Sequence, residues 1–135
     1  MAKNFHSSGN PDSHLVLRGG KTGPNYNATS VGLAAASLRE KGLPVAIMID
    51  ASHANSDKDY RKQIDVVENI AGQVSRGSAA IMGVMIESNL LEGSQEFRPG
   101  ERHDPRISIT DACVNLDDSA QMLDLLAASV RDRRA

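Results

Sequence analysis

Apolar residues fall along this chain in two patterns: short unbroken runs that fit buried strands, and stripes spaced three and four apart that fit helices. HLVLR at 14–18 is the first run, closed by Gly19-Gly20. Val45 to Asp50 is the second, rich in β-branched residues and apolar on both faces, as in a parallel sheet covered on both sides. AAIMGVMIE at 79–87 is the third. Between the runs, residues 28–42 predict a helix with Val31, Ala35 and Leu38 on one stripe and Gly42 as its stop before Pro44. Ser56 stands where it would cap a second helix, whose apolar positions Tyr60, Ile64, Val67, Ala71 and Val74 step by 4, 3, 4 and 3 until Gly77 ends it. Leu116 to Arg134 close the chain as a helix, with Met122, Leu125, Leu126 and Val130 expected to face inward.

The resulting order is β-α-β-α-β-loop-α, with no hairpin signal and crossovers long enough for helices, so the class is α/β with a parallel sheet. Residues 1–13 are polar and read as a flexible leader to a single domain. The 23-residue stretch Ser88 to Thr110 is irregular, and loops of that length are functional or disordered. Ligands in parallel α/β folds collect beyond the C-terminal strand ends. Three polar groups are delivered there: Arg18-Gly19-Gly20-Lys21, Asp50-Ala51-Ser52-His53 and Glu87-Ser88-Asn89.

Composition narrows the classes. At 135 residues, 40% hydrophobic and 24% charged with a net charge of -2, the chain fits one soluble domain. It has neither the basic field nor the basic–aromatic clusters of a nucleic-acid binder. No apolar run approaches the ~20 residues of a membrane span, and MAKNFHSSGNPDS has no apolar core of a signal peptide. A single cysteine, Cys113, excludes an internal disulfide framework and fits a reducing, cytoplasmic setting. The sequon Asn27-Ala28-Thr29 is then coincidental.

The strand-end residues allow several chemistries. Gly20-Lys21-Thr22 ends like a phosphate-binding P-loop, but the glycine required five positions earlier is Leu15, so that reading fails. Arg18 with two glycines behind it suits a phosphate or carboxylate, and equally an ion pair beside a tight turn. His53, Glu87 and Asp111 form a donor set for manganese, iron or cobalt, or a general base with its orienting partners; taken singly, each is as readily a structural residue. Cys113 reads as packing near the same loop.

Five segments in order, LRGGK at 17–21, GPNYN at 23–27, MIDASHANS at 48–56, GVMIESNLLEGSQ at 83–95 and SITDACV at 108–114, resemble the C-terminal portion of the microbial class I 3-deoxy-7-phosphoheptulonate (DAHP) synthases. The resemblance runs from about Ser8 onward. It implies the last three βα units of a (β/α)8 TIM barrel that condenses phosphoenolpyruvate with erythrose 4-phosphate and water, releasing phosphate, in the first step of the shikimate route to aromatic amino acids. By that resemblance His53, Glu87 and Asp111 match metal ligands, His53 and Asp111 serve catalysis with Asp111 near the sugar phosphate, and Arg18 holds phosphoenolpyruvate. The implied cofactor is a divalent metal: manganese, iron or cobalt.

A complete barrel takes about 250 residues, so the expectation is a fragment. The family's fourth metal ligand, a cysteine on an early strand, has no counterpart here; Cys113 matches the cysteine of the ITDAC segment instead. Most of the family's basic substrate-phosphate ligands and its feedback region have none either. Three strands alone would expose two sheet edges and the residues meant for a barrel interior, which predicts a complementary barrel fragment or homo-oligomerisation. The alternatives are a non-catalytic truncated remnant, a weak metal- or phosphate-binding interaction module, and a small flavodoxin-like domain, which would need more strands.

Overall fold

The computed structural model describes Asn4 and residues 6–135. The expected leader at 1–13 therefore lies in part outside the described residues. Three parallel strands, β1 (Leu15–Leu17), β2 (Ile47–Asp50) and β3 (Ile81–Met85), form a sheet in the order β1-β2-β3. Leu17 registers with Ile49 and Asp50 with Met85, so the three strands end at nearly one level. Helices α1 (Ala28–Glu40), α2 (Gln63–Ser75) and α3 (Leu116–Arg134) complete the chain order. Each strand is shorter than its apolar run.

The core lies between the helices and one face of the sheet. Leu17, Ile47, Ile49 and Ile81 meet Val31, Ala35, Val66, Val67, Ile70, Val74 and Met122 there. The periodicity of α2 is reproduced: Val67, Ala71 and Val74 are buried, with Tyr60 and Ile64 half-buried beside the core. The other sheet face is uncovered among the described residues. Val16 is exposed on it, and Met82 is 56% exposed. The apolar runs therefore do not mark a sheet that this chain covers on both sides.

Two further expectations are corrected. Ser56 does not cap α2; it is fully buried at the C-terminal end of the His53–Asn55 turn, and its hydroxyl donates to the His53 carbonyl at 3.3 Å. Positive φ angles at His53, Asp57 and Lys58 turn the chain through two 3₁₀ segments, His53–Asn55 and Tyr60–Lys62, before α2 begins at Gln63. On α3, Leu125 is 39% exposed. The inward stripe runs instead through Ser119, Met122, Leu126, Ser129 and Val130, two small hydroxyl residues allowing α3 to lie close against its neighbours. Their hydroxyls donate to carbonyls one turn back, Asn115 at 2.7 Å and Leu125 at 2.9 Å. Asn27, the sequon asparagine, is the N-cap of α1 and accepts the Ser30 N–H at 2.9 Å.

The long loop 88–110 is pinned rather than loose. Bridges join Ser88 to Val114, Gly93 to Cys113 and Ser94 to Ser108. The Gln95 amide donates to the Asp104 and Ile107 carbonyls at 2.6 and 2.8 Å and accepts the Asp104 N–H at 3.1 Å. Asp104 and Arg106 form a bidentate pair at 2.9 and 2.7 Å. That pairing, with the Arg106 N–H, holds the Asp104 carboxyl down at about 2. The effect is to return the chain from β3 to the sheet edge, where Asp111 emerges.

Candidate metal centre

Just after β2, the Asp50 Oδ1 accepts the Ser52 N–H at 2.8 Å, closing a turn that aims the next residues across the strand ends. His53 follows at φ +52°, a conformation uncommon for a residue with a side chain. It is held there because its carbonyl accepts the Lys58 N–H at 2.8 Å as well as the Ser56 hydroxyl. The left-handed turn folds the imidazole back towards Asp50. Nδ1 lies 2.8 Å from Asp50 Oδ2, a short electrostatic contact that is off the line of an Nδ1–H bond and leaves Nδ1 without any other partner. Nε2 faces the opposite way, 3.9 Å from Glu87 Oε1 and 3.8 Å from Asp111 Oδ2.

Glu87 is fixed from two directions. Its other oxygen, Oε2, accepts the Ser52 hydroxyl at 2.5 Å. Its backbone is clasped by the fully buried Gln63, which accepts the Glu87 N–H at 2.8 Å and donates to the Glu87 carbonyl at 3.2 Å. Asp111 is the freest of the three, with a side chain 71% exposed.

His53, Glu87 and Asp111 each offer a donor atom, all within 4.8 Å of one another. A nitrogen and two carboxylate oxygens suit a borderline-to-hard divalent cation. Bonds of about 2.1 Å to a shared ion would place donors about 3.4 Å apart in tetrahedral geometry, so the observed spacings need only small side-chain movements. A carboxylate behind the non-facing nitrogen of a histidine is the usual device for orienting such a ligand. The donor set and its supports fit a metal.

The three residues share a cavity of about 300 Å³ with Arg18, Ser52, Lys58 and Ala112. Two cationic side chains thus line the space into which the acidic donors point. A larger hollow of about 620 Å³ lies at the opposite end of the strands, lined by α1 and the turns before β2 and β3, and none of its lining residues is acidic or a histidine. Cys113 stands apart from the donor set: its Sγ lies 3.5 Å from the Asp111 carbonyl, and burial pushes its thiol up.

The structure thus brings together all four residues that sequence reasoning singled out, Arg18, His53, Glu87 and Asp111. Sequence reasoning placed Asp50 and Ser52 at the same strand ends without individual roles, and gave no site role to Asn55, Gln63 or Lys58. The signal for Asp50 was its place at the end of a buried strand, where a carboxylate needs a partner; Gln63 gave none beyond being a polar residue near an apolar stripe.

A parallel α/β sheet with an arginine and a histidine–carboxylate set at its C-terminal strand ends defines the class: an α/β fold whose strand ends gather donor atoms that could hold a metal ion. The sequence matches the DAHP synthetase I family over residues 2–124, and the chain belongs to that family. It is 46% identical over 129 residues to the Phe-sensitive phospho-2-dehydro-3-deoxyheptonate aldolase of Escherichia coli, covering 96% of this chain and 37% of that protein. The tyrosine-inhibited enzyme of that name from Schizosaccharomyces pombe is 48% identical over 130 residues, covering 93% of this chain and 35% of the relative. A solved phospho-2-dehydro-3-deoxyheptonate aldolase from Francisella tularensis superposes with a TM-score of 0.88 at 40% identity, over 97% of this chain and 38% of that one. The chain therefore spans little more than a third of the length of these relatives. Among the described residues, no helix is long and apolar enough to cross a membrane.

Proposed function

We propose that this chain is the part of a (β/α)8 barrel that carries its last three βα units, and that it contributes a metal and substrate site to 3-deoxy-7-phosphoheptulonate synthesis. The reaction joins C3 of phosphoenolpyruvate to the aldehyde carbon of erythrose 4-phosphate; water adds at C2 and inorganic phosphate leaves. One observation carries the reading: His53 Nε2 faces Glu87 and Asp111 inside the cavity that Arg18 also lines, at the end of three parallel strands.

His53, Glu87 and Asp111 would hold a divalent cation such as manganese, iron or cobalt. Such a cation supplies Lewis-acid polarisation of the aldehyde carbonyl. The chain's own residues do the rest of what it contributes. Asp50 keeps the His53 ring turned outward, and Ser52 occupies one Glu87 oxygen so that the other faces the cavity. Arg18 presents a fixed planar fork to the phosphate or carboxylate of phosphoenolpyruvate, an interaction worth most where water is excluded. Asp111 is the most exposed of the three donors, which suits it to an arriving sugar phosphate.

Among the described residues, the uncovered sheet face and the two unpaired edges point to a complementary barrel segment, or further copies of this chain, as the partner. They equally support the second reading, a non-catalytic metal- or phosphate-binding remnant. Mixing the chain with the upstream barrel segment of a relative, both substrates and Mn²⁺ separates the two. Phosphate release that His53→Ala abolishes and Cys113→Ala leaves intact is expected. Release that survives His53→Ala would sink the site assignment, and no release from a folded mixture would favour the remnant.

A further inference from the structure

We infer that Asn55 and Asn25 form a positioning clamp that fixes the spacing between the Arg18 anion fork and the His53 metal ligand. The inference rests on the metal-and-anion reading above and adds residues that touch neither ligand. Asn55 closes the 3₁₀ turn that His53 opens, and it is 3% exposed. Its amide is fully used: Nδ2 donates to the Leu17 carbonyl at 3.1 Å and the Asp50 carbonyl at 2.7 Å, while Oδ1 accepts the Asn25 N–H at 2.8 Å. Asn25 passes the connection on, its Oδ1 accepting the Gly19 N–H at 2.7 Å.

The placement of these bonds gives them their meaning. The β1–β2 ladder ends at Leu17 and Ile49, so no strand pairing connects the residues beyond. Asn55 continues the connection past that point by tying the last residue of β1 to the last residue of β2. Arg18 is then flanked on both sides: Leu17 is bonded to Asn55 and Gly19 to Asn25. Gly19 also packs so closely on the His53 turn that a Cβ there would lie 2.7 Å from the Ala54 carbonyl carbon. His53 is flanked by Asp50 and Asn55, both within the same network. Neither asparagine lines the cavity.

The chemistry of the amide makes Asn55 specific. Two N–H donors and one carbonyl acceptor are needed at a single short side chain. Aspartate would set an oxygen against two carbonyls, and alanine would remove the bonds to the Leu17 and Asp50 carbonyls and to the Asn25 N–H. Asn25 has a looser requirement, since its side chain serves as an acceptor alone, which aspartate can also supply.

The test measures Mn²⁺ affinity of the full chain and its urea midpoint side by side, at temperatures where circular dichroism shows each variant folded. Asn25→Ala and Asn55→Ala are expected to weaken Mn²⁺ about 10-fold, the scale for residues that orient ligands, while Asn25→Asp keeps wild-type affinity. If Asn55→Ala does not fold, the Asn25 pair decides alone. A lowered midpoint with unchanged Mn²⁺ affinity in Asn25→Ala would show a merely structural bond and overturn the clamp. So would an equal loss in Asn25→Asp and Asn25→Ala. Failure of the wild-type chain to bind Mn²⁺ is a different result, overturning the metal reading and the clamp with it.

Discussion

Gly19→Ala offers a sharp check on how closely the two strand-end turns are packed. Gly19 has φ +73°, and a Cβ there would meet Ala54 C at 2.7 Å, Ala54 Cβ at 2.8 Å and Asn55 N at 2.8 Å. The left-handed conformation costs a residue with a Cβ about 1–2 kcal/mol. The steric cost comes on top. All three neighbouring atoms are backbone or a methyl on the backbone, so none can swing aside; the whole His53–Asn55 turn must shift, an overpacking cost of about 1–3 kcal/mol. Together the two effects put the loss at about 2–5 kcal/mol. Gly20 is the internal control. Its added Cβ would meet nothing within 4 Å, and its φ lies outside the left-handed region, so Gly20→Ala should stay within about 0.5 kcal/mol of the parent.

Urea unfolding followed by circular dichroism reads the difference. With a slope of about 2 kcal/mol per M, a loss of about 3 kcal/mol lowers the midpoint by about 1.5 M. The neighbouring variant should leave the midpoint nearly in place. Equal midpoints for Gly19→Ala and Gly20→Ala would refute the packing argument, and with it the claim that the Arg18 turn rests directly on the His53 turn.

Asp50→Asn removes the charge behind His53 Nδ1 and should weaken Mn²⁺ binding about 10–100-fold; calorimetric titration showing unchanged affinity would exclude an orienting role for Asp50. Gln63→Leu keeps the buried volume but takes the acceptor from the Glu87 N–H and leaves the Glu87 carbonyl only the Val114 N–H, and should lower stability by about 1–3 kcal/mol, which a urea midpoint close to that of the parent would contradict. Asp104, held at about 2 against an ordinary 3.8, binds its proton less tightly in the folded chain. Its contribution to loop stability is therefore complete above about pH 4 and lost as pH falls towards 2. Arg106→Ala should return the carboxyl towards 3.8, read by ¹³C NMR titration, and a carboxyl that stays near 2 would assign the shift to some other contact.

How far the sequence discloses this arrangement depends on the range of the forces involved. The apolar stripe from Tyr60 to Val74 was legible because burial on one face imposes a period that can be counted, and the three strands were legible because their apolar runs are unbroken. The gathering of Arg18, His53 and Glu87 was legible for a related reason, since parallel strands in one sheet must end at one edge. Residues 53–62 were not. Their path depends on positive φ at His53, Asp57 and Lys58, none of them glycine. The His53 angle is held by the bonds its carbonyl accepts from Ser56 and Lys58, which no apolar–polar pattern encodes, and the turn is tied to the rest of the fold by the Asn25 N–H, which reaches the Asn55 side chain across 30 positions. Leu125 failed for a different reason. Ser119 and Ser129 satisfy their hydroxyls on their own helix and so can occupy the buried stripe that hydrophobicity alone would assign to larger residues.

The same division of range separates what this chain can do alone from what needs more protein. His53 and Glu87 are held by Asp50, Ser52 and Gln63, all on or between β2 and β3 and all buried. Nothing in that support involves the uncovered sheet face or the unpaired outer edges of β1 and β3. On the proposed reading, cation binding is therefore expected before any barrel closes. Arg18 differs: it follows β1, the strand whose outer edge is open, and it is exposed. Desolvation is what makes a guanidinium fork strong, and here it would have to come from strands beyond that edge. Metal affinity and anion affinity should accordingly respond differently to a complementary segment, the first changing little and the second rising as Arg18 is enclosed.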